Sequence, residues 1–124
     1  MELSQDRAEG YFFIRAVREQ SVFVIDRELV SSFLIAPDKV VEDWPVRAIG
    51  ELDPTAVQAI AALEPELVIL GSGPEQQFPQ QTLLLPFLRQ GIGVEVMQNS
   101  AAGRTYNLLA GEGRKVVAAF ILPG

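Results

Sequence analysis

The sequence predicts an α/β fold, in which a single three-layer domain has a mixed central sheet with helices and an N-terminal antiparallel β-meander. Three observations predict it. The 124 residues, 48% hydrophobic and 21% charged, are typical of one globular domain. Short, closely spaced runs of aromatic and β-branched residues fill the first half. The second half alternates helix-start signals with continuous apolar runs, which indicates parallel strands connected by helices.

The meander is predicted from three short runs separated by polar turns: Tyr11–Val17, Ser21–Ile25 and Ser32–Ala36. A further strand is predicted at Val40–Trp44, where Pro45 ends it, and Val46–Leu52 is compatible with one more. No linker or repeat divides residues 1–124, and residues 1–9 are predicted to be a polar tail. The meander either pairs with the edge of the main sheet or lies across it.

The second half opens with a helix-start signal, Asp53 as N-cap and Pro54 at the first helical position. The inward residues of this first helix are predicted to be Val57, Ile60 and Ala61, with Pro65 ending the helix. The apolar run Leu67–Gly71 then predicts a strand that is buried on both faces.

A second helix is predicted within Gln80–Gln90, with three residues facing inward: Leu84, Phe87 and Leu88. Pro86 either kinks this helix or delays its start, and Gly91 ends it. The next strand is Gly93–Met97. Asn99 or Ser100 is predicted to cap a third helix that runs to about Gly111–Gly113, before a last buried strand, Val116–Leu122. The three strands of this half are predicted to be inner strands, mostly parallel.

Composition excludes several classes of function. The sequence has no Cys and no His, which rules out thiolate chemistry, zinc sites built on these residues and Ser-His-Asp triads. Composition leaves an all-carboxylate metal site open, but the sequence has no EF-hand spacing, and we predict no metal and no cofactor. The net charge of -6 argues against a nucleic-acid or anionic-membrane surface. No apolar run approaches the ~20 residues that span a bilayer, and the acidic start lacks a signal-peptide pattern, so we expect a cytoplasmic protein.

Two segments form the candidate binding site. Gly71-Ser72-Gly73 follows a buried strand, where glycine loops sometimes hold phosphate. Asn99–Asn107 places polar side chains at a helix start, where Arg104 is suited to a carboxylate or phosphate. Because both segments follow neighbouring parallel strands, one alternative is that they line one small pocket. The other is that the first residues only cap the helix, Arg104 pairs with a carboxylate and Tyr106 packs.

Other residues carry weaker signals. The carboxylates near predicted element ends are Asp53, Glu64, Glu66 and Glu95, and nothing in their spacing pairs them for acid–base chemistry. Trp44 is either an exposed anchor for a partner or a cover for the core beside Pro45.

Several blocks occur in an order that resembles a known family: LVILGSG (67–73), Phe78-Pro79, GIGVEVM (91–97) and AAGRTYN (101–107). They resemble the Mth-type domain family of unknown function, over residues 10–122. Its relatives include the mitochondrial complex I (NADH dehydrogenase) assembly factor 3 and an adipogenesis-associated protein. The resemblance implies a three-layer α/β domain. It does not imply an established enzyme activity, and the mitochondrial relative acts through protein partners. Many members carry Cys where this sequence has Gly103, so a family-wide thiol mechanism does not extend to this chain.

Two functions follow as hypotheses. The first is a non-enzymatic protein-interaction module that assists assembly of a respiratory complex such as NADH dehydrogenase. The second is a small-molecule or anion-binding domain, a cryptic enzyme, with its pocket between the 71–73 loop and the 99–107 helix start. An exposed meander edge allows either a monomer or a homodimer. The candidate ligand or partner surface comprises Gly71, Ser72, Gly73, Pro79, Glu95, Asn99, Ser100, Arg104, Thr105, Tyr106 and Asn107.

Overall fold

The computed structural model describes residues 10–124, so the predicted tail at 1–9 lies outside the described range. The strands are β1 Ile14–Val17, β2 Val22–Val24, β3 Arg27–Leu29, β4 Ser31–Ala36, β5 Lys39–Val41, β6 Leu67–Gly71, β7 Gly93–Met97 and β8 Val116–Pro123. The α-helices are α1 Pro54–Ala61, α2 Leu85–Arg89 and α3 Asn99–Gly111. Two short 3₁₀ turns lie at Ile49–Glu51 and Gln81–Leu84.

The main sheet has five strands in the order β5-β4-β8-β6-β7. Strand β6 pairs in parallel with both β7 and β8, with Ile69 opposite Glu95 on one side and Ala118 on the other. Strand β4 pairs antiparallel with β8 and β5, so the sheet is mixed, as predicted. The parallel arrangement of the three strands is confirmed, but β7 is an edge strand and not an inner one.

The meander differs from the prediction in its third strand. The small antiparallel sheet has the order β1-β2-β3, and β3 comes from Arg27–Leu29, a segment predicted to be a turn and a link. The predicted third strand, Ser32–Ala36, instead belongs to the main sheet as part of β4, where all five of these residues are buried. The error arises because β3 is short and carries two charged residues, so it lacks an apolar pattern.

Helices α1 and α2 cover one face of the main sheet. Val57 and Ile60 of α1 and Phe87 of α2 belong to the same buried cluster as the sheet residues Val68 and Leu70. Successive side chains of a strand point to opposite faces, so Ile69, which lies between Val68 and Leu70, faces the other side of the sheet. The face covered by α1 and α2 forms the larger of the two cores. Asp53 caps the start of α1 there by accepting a hydrogen bond from Ala56 N at 2.8 Å.

Helix α3 and the small sheet together cover the opposite face. Ile69, Phe33 and Phe120 of the main sheet form a second buried cluster with Tyr106 of α3 and Val22 of β2. The rings of Phe33 and Phe120 stack with centroids 5.2 Å apart. The three layers predicted from the sequence are therefore confirmed, and the small sheet lies across the main sheet beside α3.

The segment between β5 and α1 also differs from the prediction. Strand β5 ends at Val41, before Trp44, and Val46–Leu52 contains a 3₁₀ turn instead of a strand. The Trp44 side chain is 3% exposed, and its Nε1 donates a hydrogen bond to Ala56 O at 3.1 Å. Trp44 therefore covers the core beside α1, the second of the two alternatives weighed from the sequence.

Helix α2 shows how a proline resolves a local conflict. The segment begins as a 3₁₀ turn, and the α-helix starts late, at Leu85, so that Pro86 occupies the first turn, where no backbone donor is needed. Gly91 follows the helix with a φ of 73°, a conformation that glycine adopts without strain. The 3₁₀ turn shifts the helical phase, so Phe87 is buried as predicted, whereas Leu88 is 56% exposed and the prediction that it faces inward is wrong.

The helical phase of α2 can be tested by substituting two neighbouring residues, Phe87 and Leu88. Phe87→Ala is expected to lower the free energy of unfolding by about 3–5 kcal/mol, because it opens a cavity in the core. Leu88→Ala is expected to change it by less than about 0.5 kcal/mol, because the side chain is largely in solvent. Urea unfolding followed by circular dichroism measures both, and equal losses would show that α2 packs with a different phase.

Candidate functional site

The two segments that form the candidate binding site, Gly71–Gly73 and Asn99–Asn107, lie next to each other and are joined by hydrogen bonds. The side chain of Asn99 is 3% exposed; its Oδ1 accepts from Gly73 N at 3.1 Å and its Nδ2 donates to Ile121 O at 3.0 Å. The backbone N–H of Asn99 also donates to Gly73 O at 2.8 Å. Asn99 thus joins the ends of β6 and β8 to the start of α3.

The predicted capping role is therefore wrong for both candidate residues. The N-cap of α3 is Gln98, whose side chain makes no capping hydrogen bond, and both Asn99 and Ser100 lie inside the helix. Local sequence favours Asn as a cap, but here its amide satisfies backbone groups of the loop after β6 and of β8 instead. A buried amide with partners on both its oxygen and its nitrogen costs little to desolvate.

Gly71 is required by this close approach. A Cβ built at Gly71 would lie 2.5 Å from Asn99 Oδ1 and 3.2 Å from Ala119 O. The adjacent Ser72 is 5% exposed, and its hydroxyl donates to Glu75 O at 2.8 Å and accepts from Gln77 N at 3.0 Å. The Gly71–Gly73 loop is therefore shaped by its own bonds, and its Ser72 hydroxyl is already engaged.

The end of the Asn99–Asn107 segment anchors the N-terminal sheet. Tyr106 is fully buried, and its hydroxyl donates to Phe12 O at 2.8 Å. Asn107 accepts from Ile14 N at 2.8 Å through Oδ1 and donates to Ile14 O at 2.7 Å through Nδ2. These bonds attach β1 to α3 across more than ninety residues of sequence, so both side chains position a strand.

Gly103 allows β1 to lie close to α3. A Cβ at this position would lie 3.0 Å from Val17 Cγ2 and 3.2 Å from Ile14 Cγ2. Contacts this short require the strand to move by a few tenths of an ångström. The absence of a side chain at Gly103 therefore sets the separation between the helix and the strand.

Arg104 lies on the exposed side of α3, facing a cavity of about 250 Å³ between this helix and β1. The cavity is lined by residues 14–17 of β1 and by Ser100, Gly103, Arg104 and Asn107 of α3. The loop residues Ser72 and Gly73 line a different cavity, of about 390 Å³, that also has Glu19, Glu75 and Arg47 on its walls. These two cavities are lined by different residues, and Asn99 joins the two segments by direct hydrogen bonds to Gly73. A pocket shared by both segments, the first of the two alternatives, stays a prediction.

The remaining members of the predicted surface are dispersed. Thr105 is half-buried on α3, Glu95 is exposed on the edge strand β7, and Pro79 is buried beside the exposed Phe78 near the start of α1. The sequence did not single out Arg15, which shares the cavity with Arg104. In the sequence, Arg15 is a cation between two apolar residues, which is a common pattern in strands and does not indicate a site. A ligand-binding role for the members of this surface stays a prediction.

The candidate carboxylates serve structural roles or lie in solvent. Glu66 Oε1 accepts from Lys115 N at 3.0 Å and from Arg114 Nε at 3.1 Å, and these hydrogen bonds lower the pKa of Glu66. Glu64 lies 3.7 Å from Lys115 Nζ. Across residues 10–124, no group of three or more acidic side chains is arranged to hold a metal ion. Over the same range, no helix has the length and apolar character needed to cross a membrane.

A pair of glycine substitutions tests the junction at Asn99. Gly71→Ala is expected to lower the free energy of unfolding by about 1–3 kcal/mol, because the new methyl group overlaps the Asn99 amide. Gly50→Ala is the matched control, since a Cβ there meets nothing within 4 Å. It is expected to change stability by less than about 0.5 kcal/mol. Equal thermal midpoints for the two variants would contradict the close approach at Gly71.

Similarity to solved structures is extensive. The NMR structure of a Xanthomonas campestris protein is 43% identical, covers 100% of this chain and 94% of its own, and superposes with a TM-score of 0.84. A Bordetella pertussis protein described as a Mth938-like domain is 28% identical, with coverages of 100% and 94% and a TM-score of 0.81. These neighbours share the three-layer fold described above.

Similarity also extends to a named human protein and to a family model. The human protein named NADH dehydrogenase (ubiquinone) 1 alpha subcomplex assembly factor 3 is 27% identical over 125 residues, which cover 99% of this chain and 67% of the human protein. The chain thus spans about two thirds of that relative's length. The model of the family described as "Protein of unknown function (DUF498/DUF598)" matches residues 14–121. The chain therefore belongs to the DUF498/DUF598 family, whose structural relatives are Mth938-like domains.

Proposed function

We propose that this protein is a non-catalytic protein-interaction module that assists the assembly of a respiratory complex such as NADH dehydrogenase. The observation that carries the proposal is the match of 99% of the chain to a human protein named as an assembly factor of that complex. Because the matched region includes both sheets and all three α-helices, the shared part is the whole fold. The partners of this chain are therefore proposed to be proteins, identified by their place in that complex.

The chemistry of the Asn99–Asn107 segment supports a binding role. Its inward polar side chains are engaged in internal hydrogen bonds: Asn99 to Gly73 and Ile121, Tyr106 to Phe12, and Asn107 to Ile14. These bonds stabilise a rigid surface on α3 and β1. The sequence has no Cys and no His, so neither a Cys nucleophile nor a His base is available to it. A chain without Cys also fits a reducing compartment, and the proposed location is the cytoplasm.

A deletion strain tests the assembly role. Loss of the gene is expected to reduce the amount of mature NADH dehydrogenase and to increase partly assembled forms, as resolved on native gels and by NADH oxidation in membrane fractions. Re-expression of the wild-type chain is expected to restore both, and so is Leu88→Ala, the matched control with an intact core. Phe87→Ala, which is expected to unfold more readily, is expected to restore less.

Partner identification separates a direct role from an indirect one. Purification of the tagged protein after cross-linking in its native cells is expected to recover subunits of the same complex in stoichiometric amounts. Normal amounts and activity of the complex in the deletion strain would refute the assembly role.

A further inference from the structure

Three of the four sheet edges within residues 10–124 are protected against pairing with another chain. The edge of β1 is closed by Asn107, whose amide bonds both backbone groups of Ile14. Strand β3 is short and carries two charged residues, Arg27 and Glu28. Strand β5 is equally short and begins with Lys39. Short length, charged residues and covering side chains all protect a sheet edge from association.

The fourth edge, β7, has less protection. Its five residues pair with β6 in a continuous parallel register without a bulge, and none of them is Lys, Arg or Pro. Its one charged residue, Glu95, is exposed and forms no ion pair with the described part of the chain. An edge of this length and regularity is a backbone template for one more strand.

The backbone groups on the outer side of β7 belong to Val94 and Val96. Ser72 N donates to Met97 O at 2.9 Å, so the backbone groups of Met97 face β6. Alternate residues of a strand direct their backbone groups to the same side. Those of Glu95 therefore also face β6, whereas those of Val94 and Val96 face away from the sheet.

Three of these four outward groups have no hydrogen-bond partner within residues 10–124: the N–H and the carbonyl of Val94, and the N–H of Val96. The fourth, the carbonyl of Val96, accepts from Gln76 Nε2 at 2.9 Å. Because this bond comes from an exposed side chain, exchanging it for a bond from another strand costs little. The edge is therefore open apart from one displaceable amide.

Helix α3 adds an apolar contact beside this edge. Gly103 and Asn107 face β1, so Thr105 and Leu108 lie on the opposite side of the helix, toward β7. The helix runs back from the end of β7 at about 1.5 Å per residue, against about 3.3 Å in a strand, so Leu108 is level with Gly93. Leu108 is 62% exposed. A partner side chain opposite Gly93 thus has an empty position on the strand and an apolar neighbour on the helix.

We propose that β7 is the docking edge for an extended strand of a partner protein, which adds antiparallel to the main sheet. The partner residue opposite Glu95 is a Lys or Arg, because opposite charges stabilise a cross-strand pair. Its two neighbours are apolar, since they lie on the face where Val94 and Val96 pack against the larger core. A large apolar residue opposite Gly93 completes the pattern.

The charge of the edge favours such a strand over a second copy of this chain. Antiparallel self-pairing centred on Glu95 places two carboxylates directly opposite each other, which is destabilising. The inference rests on the proposed function, because it names the kind of segment that a protein-interaction module with this edge binds.

Peptide binding to the intact ¹⁵N-labelled protein tests the edge by NMR. The probe is the acetylated peptide Thr-Thr-Val-Lys-Val-Leu-Thr, and its control has Asp in place of Lys. Saturable shifts are expected for Val94, Glu95 and Val96, with a Kd about fivefold or more weaker for the control. Amide hydrogen exchange is expected to slow at Val94 and Val96 and to stay unchanged at Glu95, which already faces β6. Shifts without slower exchange at the two valines would overturn the proposal.

Two neighbouring glutamines provide the second arm. Gln76→Ala is expected to tighten the Kd of the Lys peptide about two- to tenfold, because the carbonyl of Val96 becomes free to accept from the peptide. Gln77→Ala is the matched control, since this side chain is exposed and makes no hydrogen bond within residues 10–124. It is expected to leave the Kd unchanged. Equal Kd values for Gln76→Ala and the wild type would refute the docking mode.

Sedimentation velocity of the free protein separates a partner strand from a second copy. A monomer is expected. A dimer whose Val94 and Val96 amides exchange slowly would overturn the assignment to a partner, because the edge would be occupied by another copy. The peptide measurements do not involve the respiratory complex, so normal assembly in the deletion strain and failure of peptide binding are distinguishable results.

Discussion

The amide of Asn99 is the contact on which the arrangement of the layers depends. It links the loop after β6 to the end of β8, and its position in the first turn of α3 fixes where that helix leaves the sheet. The contact requires a residue without a side chain at Gly71, since any Cβ would overlap the amide oxygen. Without this amide, the backbone N–H of Gly73 and the carbonyl of Ile121 would each lose a hydrogen-bond partner. Unsatisfied backbone groups are costly in a low-dielectric interior.

Beyond that fixed start, the residues of α3 have two roles, depending on whether they face inward or outward. Tyr106 and Asn107 face inward and attach the N-terminal sheet, which has a hydrophobic face that needs the main sheet for cover. Arg104 points outward, beside the strand that those bonds hold. One short segment thus both organises the fold and exposes a charged side chain, Arg104, to solvent.

The sequence predicted the parts of the fold whose signals are local. Asp53 and Pro54 mark a helix start by themselves, and Leu67–Gly71 is apolar throughout because both faces are covered. The errors occur where tertiary contacts decide. The 3₁₀ turn before α2 moved Leu88 to the surface, and β3 forms with two charged residues because β2 offers it a free edge. Asn is a residue type that favours helix caps, but the side chain of Asn99 is held by the loop after β6 and by β8, both distant in sequence.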